Sequence, residues 1–157
     1  MKNKIIVAGN IIVDRLYPIA GYPERGQLTK ILDGIGQSVG GAVCNVGIDL
    51  KRLMPDTEVC ALGLVGPDEG GDFALKTMAD AGMDVSLVNR DGVTSFTAVM
   101  SDAVTHERTF FTYGGANARF SEDSFYFGYY TMIATAQKRQ LFSGLALDGG
   151  QNERRND

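Results

Sequence analysis

The sequence holds a single histidine, no tryptophan, two cysteines and four prolines in 157 residues. One imidazole excludes multi-histidine metal centres and leaves His106 alone as a candidate for a histidine-based triad. It falls in the polar turn Thr105-His-Glu-Arg108, where a solvated turn residue is the plainer reading. Cys44 and Cys60 are too few for a disulfide framework and lack any Cys-x-x-Cys spacing. Their apolar surroundings read as those of buried thiols in a reducing compartment. Basic excess is missing as well: 15 basic against 19 acidic side chains give a net charge of −4, which disfavours a nucleic-acid partner. No apolar run approaches the roughly 18 residues of a membrane span. The amino-terminal stretch Ile5 to Val13 is broken at Gly9-Asn10 and lacks a small-x-small cleavage site, so no secretion signal is expected. A cytoplasmic protein with no membrane partner is the resulting expectation.

Glycine is plentiful, at 20 of 157 residues against a usual share of about 7%. The length argues for one domain, and 44% hydrophobic with 22% charged residues is a globular balance. Lys4 to Ala8 reads as a buried strand ending at Gly9-Asn10, and Ile11 to Ile19 continues extended. Leu28 to Ile35 reads as a further strand. From Gly41 the apolar residues Val43, Val46, Gly47, Leu50, Leu53 and Met54 recur at helical spacing until Pro55. Glu58 to Val65 is a second apolar strand, and Asp72 to Ala81 a second helix stopped by Gly82. Alternating strands and helices predict a parallel α/β sheet. Val85 to Val88, Thr94 to Ser101 and Arg108 to Tyr113 follow as β-rich segments with short turns, predicting a small appended sheet of the kind that forms lids. In the middle one Phe96, Ala98 and Met100 alternate with Thr97, Val99 and Ser101. The residues from Tyr126 to Asp157 follow no clean period, so residues 1–125 read as the organised part and 126–157 as an atypical tail.

Gly40-Gly41-Ala-Val-Cys-Asn45 places a diglycine at a helix start with an amide close behind it. Such a start can serve a polar ligand at exposed helix N–H groups, or can be an ordinary tight connection. Asp14 is the acid nearest the carboxyl ends of the predicted sheet, where α/β ligands bind, and a carboxylate there can accept two bonds from a diol. The alternative is a turn acid paired with Arg15. Gly34-Ile-Gly36-Gln-Ser-Val39 misses the third glycine of a dinucleotide fingerprint, and no Gly-Lys-Ser/Thr is present. Asp68, Glu69 and Asp72 read as a solvated helix start, and Phe110, Phe111 and Tyr113 as packing residues.

These segments together resemble the amino-terminal part of the PfkB, or ribokinase-like, family of carbohydrate and nucleoside kinases. The pieces are Val7-Ala-Gly-Asn10 with Asp14, Pro23-Glu-Arg-Gly26, Gly40-Gly41 with Asn45, and Leu62-Gly-Leu-Val-Gly66-Pro-Asp68 with Gly71. Ala81-Gly-Met-Asp84 and Thr109-Phe-Phe-Thr-Tyr-Gly-Gly-Ala-Asn117 complete the series. The resemblance implies a three-layer α/β/α core, here incomplete, with a β lid. It implies a sugar site at Asp14, Gly40, Gly41 and Asn45, covered by the lid strands. Transfer of the ATP γ-phosphate to a sugar or nucleoside hydroxyl is the implied activity, with ATP and Mg²⁺ as cofactors of the complete enzyme. A homodimer through the lid sheet is also implied. Ile12 and Ala42 stand where ribose-type members often carry Asn and Lys, which leaves the sugar open. The family's Gly-Ala-Gly-Asp element with its catalytic base, and its Asn-x-x-Glu element, do not occur in the sequence. No catalytic residue is assigned, and the expectation is an incomplete kinase chain without phosphotransfer of its own. A non-catalytic sugar-binding or lid-association module is the competing expectation.

Overall fold

Two apolar runs, β1 (Lys4–Ala8) and β4 (Glu58–Val65), lie side by side as parallel strands in the computed structural model, which describes residues 4–124. Seven consecutive residues of β4, Val59 to Val65, are buried, because this strand is central and covered on both faces. Its far neighbour is β5 (Asp84–Arg90), again parallel, giving the order β1-β4-β5. The expectation that this segment belongs to the appended sheet is therefore corrected. It follows a helix, and a strand-helix-strand unit returns the chain parallel to where it began.

Helices α1 (Gly41–Leu53) and α2 (Glu69–Asp80) cover one face, where Val43, Cys44, Ala74 and Met78 meet Val59, Ala61 and Val65. The opposite face carries Cys60, Leu62 and Leu87, on which Phe120 packs. The α1 stripe is rotated from the expected one. Gly47 lies against Met83 and Val59, so the helix docks through Val43, Cys44 and Gly47, leaving Val46 and Leu53 exposed. Helix α2 starts three residues earlier than its apolar pattern indicates. Asp68 caps it, accepting a bond from Gly71 N at 2.9 Å.

The second sheet has the order β3-β2-β6-β7: β2 is Ile12–Ile19, β3 Gly36–Gly40, β6 Phe96–Asp102 and β7 Arg108–Tyr113. Strands β2 and β6 pair in parallel at its centre, and β3 and β7 are antiparallel edges. The strand expected over Leu28 to Ile35 is replaced by β3, with Ile31 making one isolated bridge to Ile19. Pairing to β2 outweighs the poor strand propensity of Gly-Gln-Ser-Val-Gly, while Leu28 stands fully in solvent. The aromatic edge expected to pack is also corrected: Phe110, Phe111 and Tyr113 are exposed, although the Tyr113 ring contacts Phe96 at 5.5 Å. A short 3₁₀ helix, Gly115–Arg119, follows β7. The tail from Tyr126 onward lies outside the described residues.

Candidate functional site

Four crossings join the core sheet to the lid sheet, and asparagine side chains tie them together. At the first, between β1 and β2, Asn10 Oδ1 accepts the Ala42 N–H at 2.9 Å and its carbonyl accepts the Val43 N–H at 3.3 Å. Asn10 thus caps α1, whose own N-cap residue Gly40 supplies no side chain. At the last crossing the Asn117 amide grips Ile11 at both ends, accepting its N–H at 3.1 Å and donating to its carbonyl at 2.9 Å. Ser95 Oγ donates to Gly114 O at 2.6 Å and accepts from Asn117 N at 3.0 Å. Thr94 completes the root: its hydroxyl receives Gly66 N at 2.8 Å and donates to Asp68 Oδ1 at 2.6 Å.

The diglycine is where this framework meets Asp14. Gly41 has φ +84°, and any Cβ there would collide with the Asn10 carbonyl. A Cβ on Gly40 would lie 2.7 Å from Asp14 Oδ2. One glycine therefore lets the helix start close on Asn10, and the other leaves room for a carboxylate. The idea of bare helix N–H groups waiting for a ligand is corrected, because Asn10 occupies two of them. What the glycines expose is Asp14. That residue lies on β2 of the lid rather than at the end of a core strand, since the chain leaves the core sheet at Gly9. Arg15 points to the other face, 5.4 Å over the Phe96 ring, so the expected Asp14–Arg15 pairing does not form. Among the described residues Asp14 makes no ion pair. Its charge is felt nonetheless: burial first, and the nearby Asp14 carboxylate second, push the Cys44 thiol up to about 11.

Asn45 begins the second turn of α1, is exposed, and lines an open groove of about 620 Å³ with Gln37, Ser38, Phe73 and Thr77. Ser38 is opposite Asp14 in the β2–β3 register, so the groove and the carboxylate share a wall. A smaller cavity of about 390 Å³ lies on the reverse face of β2, between Arg15, Phe96 and Asp68. The acids Asp68 and Asp72 are structural. Burial opposes ionisation of Asp68, but bonds from Thr94 and Gly71 hold its carboxyl below the usual range, while Asp72 pairs with Arg90 at 2.7 Å. His106 sits exposed in its turn with φ 61°. Both cysteines are free and buried, and no helix among the described residues is long and apolar enough to cross a membrane. Sequence reasoning missed the clamping roles of Asn10 and Asn117. Both fell within the motifs quoted, but their partners lie in distant segments.

The sequence matches the pfkB family carbohydrate kinase profile over residues 2–150. The chain belongs to this family. It is 34% identical over 112 residues to a fructokinase of Klebsiella pneumoniae, covering 70% of this chain and 32% of that protein. A ribokinase of Staphylococcus aureus (strain COL) is 25% identical over 118 residues, or 74% of this chain and 38% of the relative. The structure of Arabidopsis thaliana ribokinase complexed with ribose and ATP superposes with a TM-score of 0.66 at 21% identity, covering 74% of this chain and 38% of that one. The fold is thus ribokinase-like, with a partial core and a lid, and the chain spans about a third of the length of these relatives. ATP use is a trait of the family. Within the described residues, Asn10 and Asp68 cap the starts of α1 and α2.

Proposed function

We propose that this chain carries the sugar-binding half of a carbohydrate kinase and has no phosphotransfer activity of its own. The observation behind this reading is the Asp14 carboxylate, without an ion pair among the described residues and set into the space left by Gly40 beside the start of α1. A carboxylate so placed accepts two bonds from neighbouring hydroxyls of a sugar or nucleoside. Gly40 contributes by shape, Gly41 by letting α1 start close on Asn10, and Asn45 adds an amide from the adjoining groove. The lid sheet covers the ligand and keeps out water, which otherwise competes as phosphate acceptor. In the complete family enzyme the γ-phosphate of ATP, with Mg²⁺, passes to the sugar hydroxyl. This sequence has neither the Gly-Ala-Gly-Asp nor the Asn-x-x-Glu element for that step. The test is a coupled assay of the purified 157-residue chain with ATP, Mg²⁺ and a panel of sugars and nucleosides. No turnover is expected; activity above a heat-killed control overturns the proposal.

A second reading is association of two copies through the lid. Strand β7 is an edge whose six residues are all exposed, Phe110, Phe111 and Tyr113 among them. A monomer by sedimentation at micromolar concentration would overturn it.

A further inference from the structure

One face of the lid sheet carries polar groups in a row. The register sets Ser38 of β3 opposite Asp14 of β2, Asp14 opposite Thr97 of β6, and Thr97 opposite Thr112 of β7. Paired residues project from the same side of a sheet, so these four side chains line up across all four strands. The reverse face holds Val13, Phe96 and Tyr113, in the same register one residue earlier on β2 and β6. The other buried polar side chains, Thr94, Ser95 and Asp102, all have partners. The row differs, for none of its four side chains is bonded within the described residues. Thr97 is the telling member, only 9% exposed, and among the described residues no sealed-in polar atom lacks a partner. Its hydroxyl therefore opens onto the face that Asp14 occupies, and leaving it dry and unbonded would be costly.

We propose that Ser38, Thr97 and Thr112 extend Asp14 into a hydroxyl-reading row that commits the site to a polyhydroxylated sugar. The proposal rests on the sugar-site reading above and deepens it by naming the residues that set specificity. Neighbouring strands lie about 4.8 Å apart, comparable to one sugar ring, so adjacent positions of the row reach hydroxyls on either side of the ring. Hydroxyl side chains both donate and accept, whereas the carboxylate only accepts. The combination suits a ligand whose hydroxyls must give and take bonds, and it discriminates against deoxygenated analogues. A nucleoside presents hydroxyls only along its ribose, so it engages Asp14 and one neighbour and leaves the remainder of the row unused.

The test is amide chemical-shift titration of the whole 157-residue chain with fructose, ribose, 2-deoxyribose and adenosine. It is repeated on Thr97→Val, Ser38→Ala and Asp14→Asn, with thermal melts to confirm that each variant is folded. The wild-type chain is expected to bind the fully hydroxylated sugars best. Thr97→Val and Ser38→Ala are each expected to weaken that binding by about 3- to 10-fold, the worth of one neutral hydrogen bond. Thr97→Val should also narrow the preference for ribose over 2-deoxyribose, which a packing role alone would not do. If both alcohol variants match wild type while Asp14→Asn loses binding, the row is overturned and the sugar site stands. Preferential binding of adenosine overturns the assignment to a polyhydroxylated sugar. If the wild-type chain binds none of the ligands, the row and the sugar-site reading fall together.

Discussion

Gly40 and Gly41 are chemically identical and adjacent, yet a methyl group on each would fail differently. At Gly41 it would meet backbone, the Asn10 carbonyl, at a φ of +84° that side-chain-bearing residues rarely adopt. At Gly40 it would meet the Asp14 carboxylate, the free end of a side chain that can swing away. Gly41→Ala is therefore expected to cost about 1–3 kcal/mol, read by urea unfolding. Gly40→Ala should stay within about 1 kcal/mol of wild type while losing the carboxylate's position, and with it sugar binding in the same titration. Equal stability losses in the two variants would contradict this division. From the sequence the pair was visible as a helix start, but not which glycine served the fold and which the site. The colliding atoms belong to Asn10 and Asp14, some thirty residues upstream, and only the folded backbone brings them near.

At the scale of elements, the lid is stitched to the core rather than loosely hinged. The Asn117 amide holds both backbone groups of Ile11 across 106 residues of sequence, and Ser95 ties the start of β6 to the end of β7. Asn117→Leu keeps the side-chain bulk but strands the Ile11 N–H and carbonyl. It is expected to cost about 1–3 kcal/mol and to accelerate hydrogen exchange in β2 well before β4. Uniform acceleration across both sheets would show that Asn117 supports the whole fold instead. Thr94→Val should cost a similar amount, because Gly66 N and Asp68 each lose a partner. Of the core strands, β1 and β4 were readable at their true limits, since a buried strand writes itself as an unbroken apolar run, whereas β5 was read short and in the wrong sheet. Strand β3 was not, because Gly-Gln-Ser-Val-Gly has no strand pattern of its own and is held by β2. The polar row was not readable either. Thr97 and Ser101 could be seen to alternate with apolar neighbours, but alignment of Thr97 with Asp14 and Ser38 depends on a register between distant strands.

For the molecule as a whole, stability is tied to acid through the amino-terminal ends of the core strands. Lys4 bridges Glu58 at 2.8 Å and Asp84 at 3.6 Å, and the Cys60 thiol donates to Asp84 at 2.9 Å. Burial works against ionisation of Asp84, but the bonds from Cys60 and Ser86 and the charge of Lys4 prevail, drawing its carboxyl down to about 2. An unfolded aspartate titrates near 3.9, so the folded state binds this proton less readily and gains stability above that pH. The gain is lost as pH falls from about 4 towards 2. Acid unfolding followed by circular dichroism should therefore steepen in that window, and Asp84→Asn should flatten it; an unchanged slope would contradict the assignment. The order β3-β2-β6-β7 also sets a sequence of events in folding. Strand β2 is made early in the chain, but its parallel partner β6 is reached only after α1, β4, α2 and β5 have been laid down. Closing so long a loop is slow unless intervening segments shorten it, and the core strand-helix-strand units do that. Asp14 thus acquires its surroundings last, and pulse-labelling exchange during refolding should protect β4 amides before those of β2. A chain arrested before Phe96 would hold its core sheet and lack the surface on which a ligand rests.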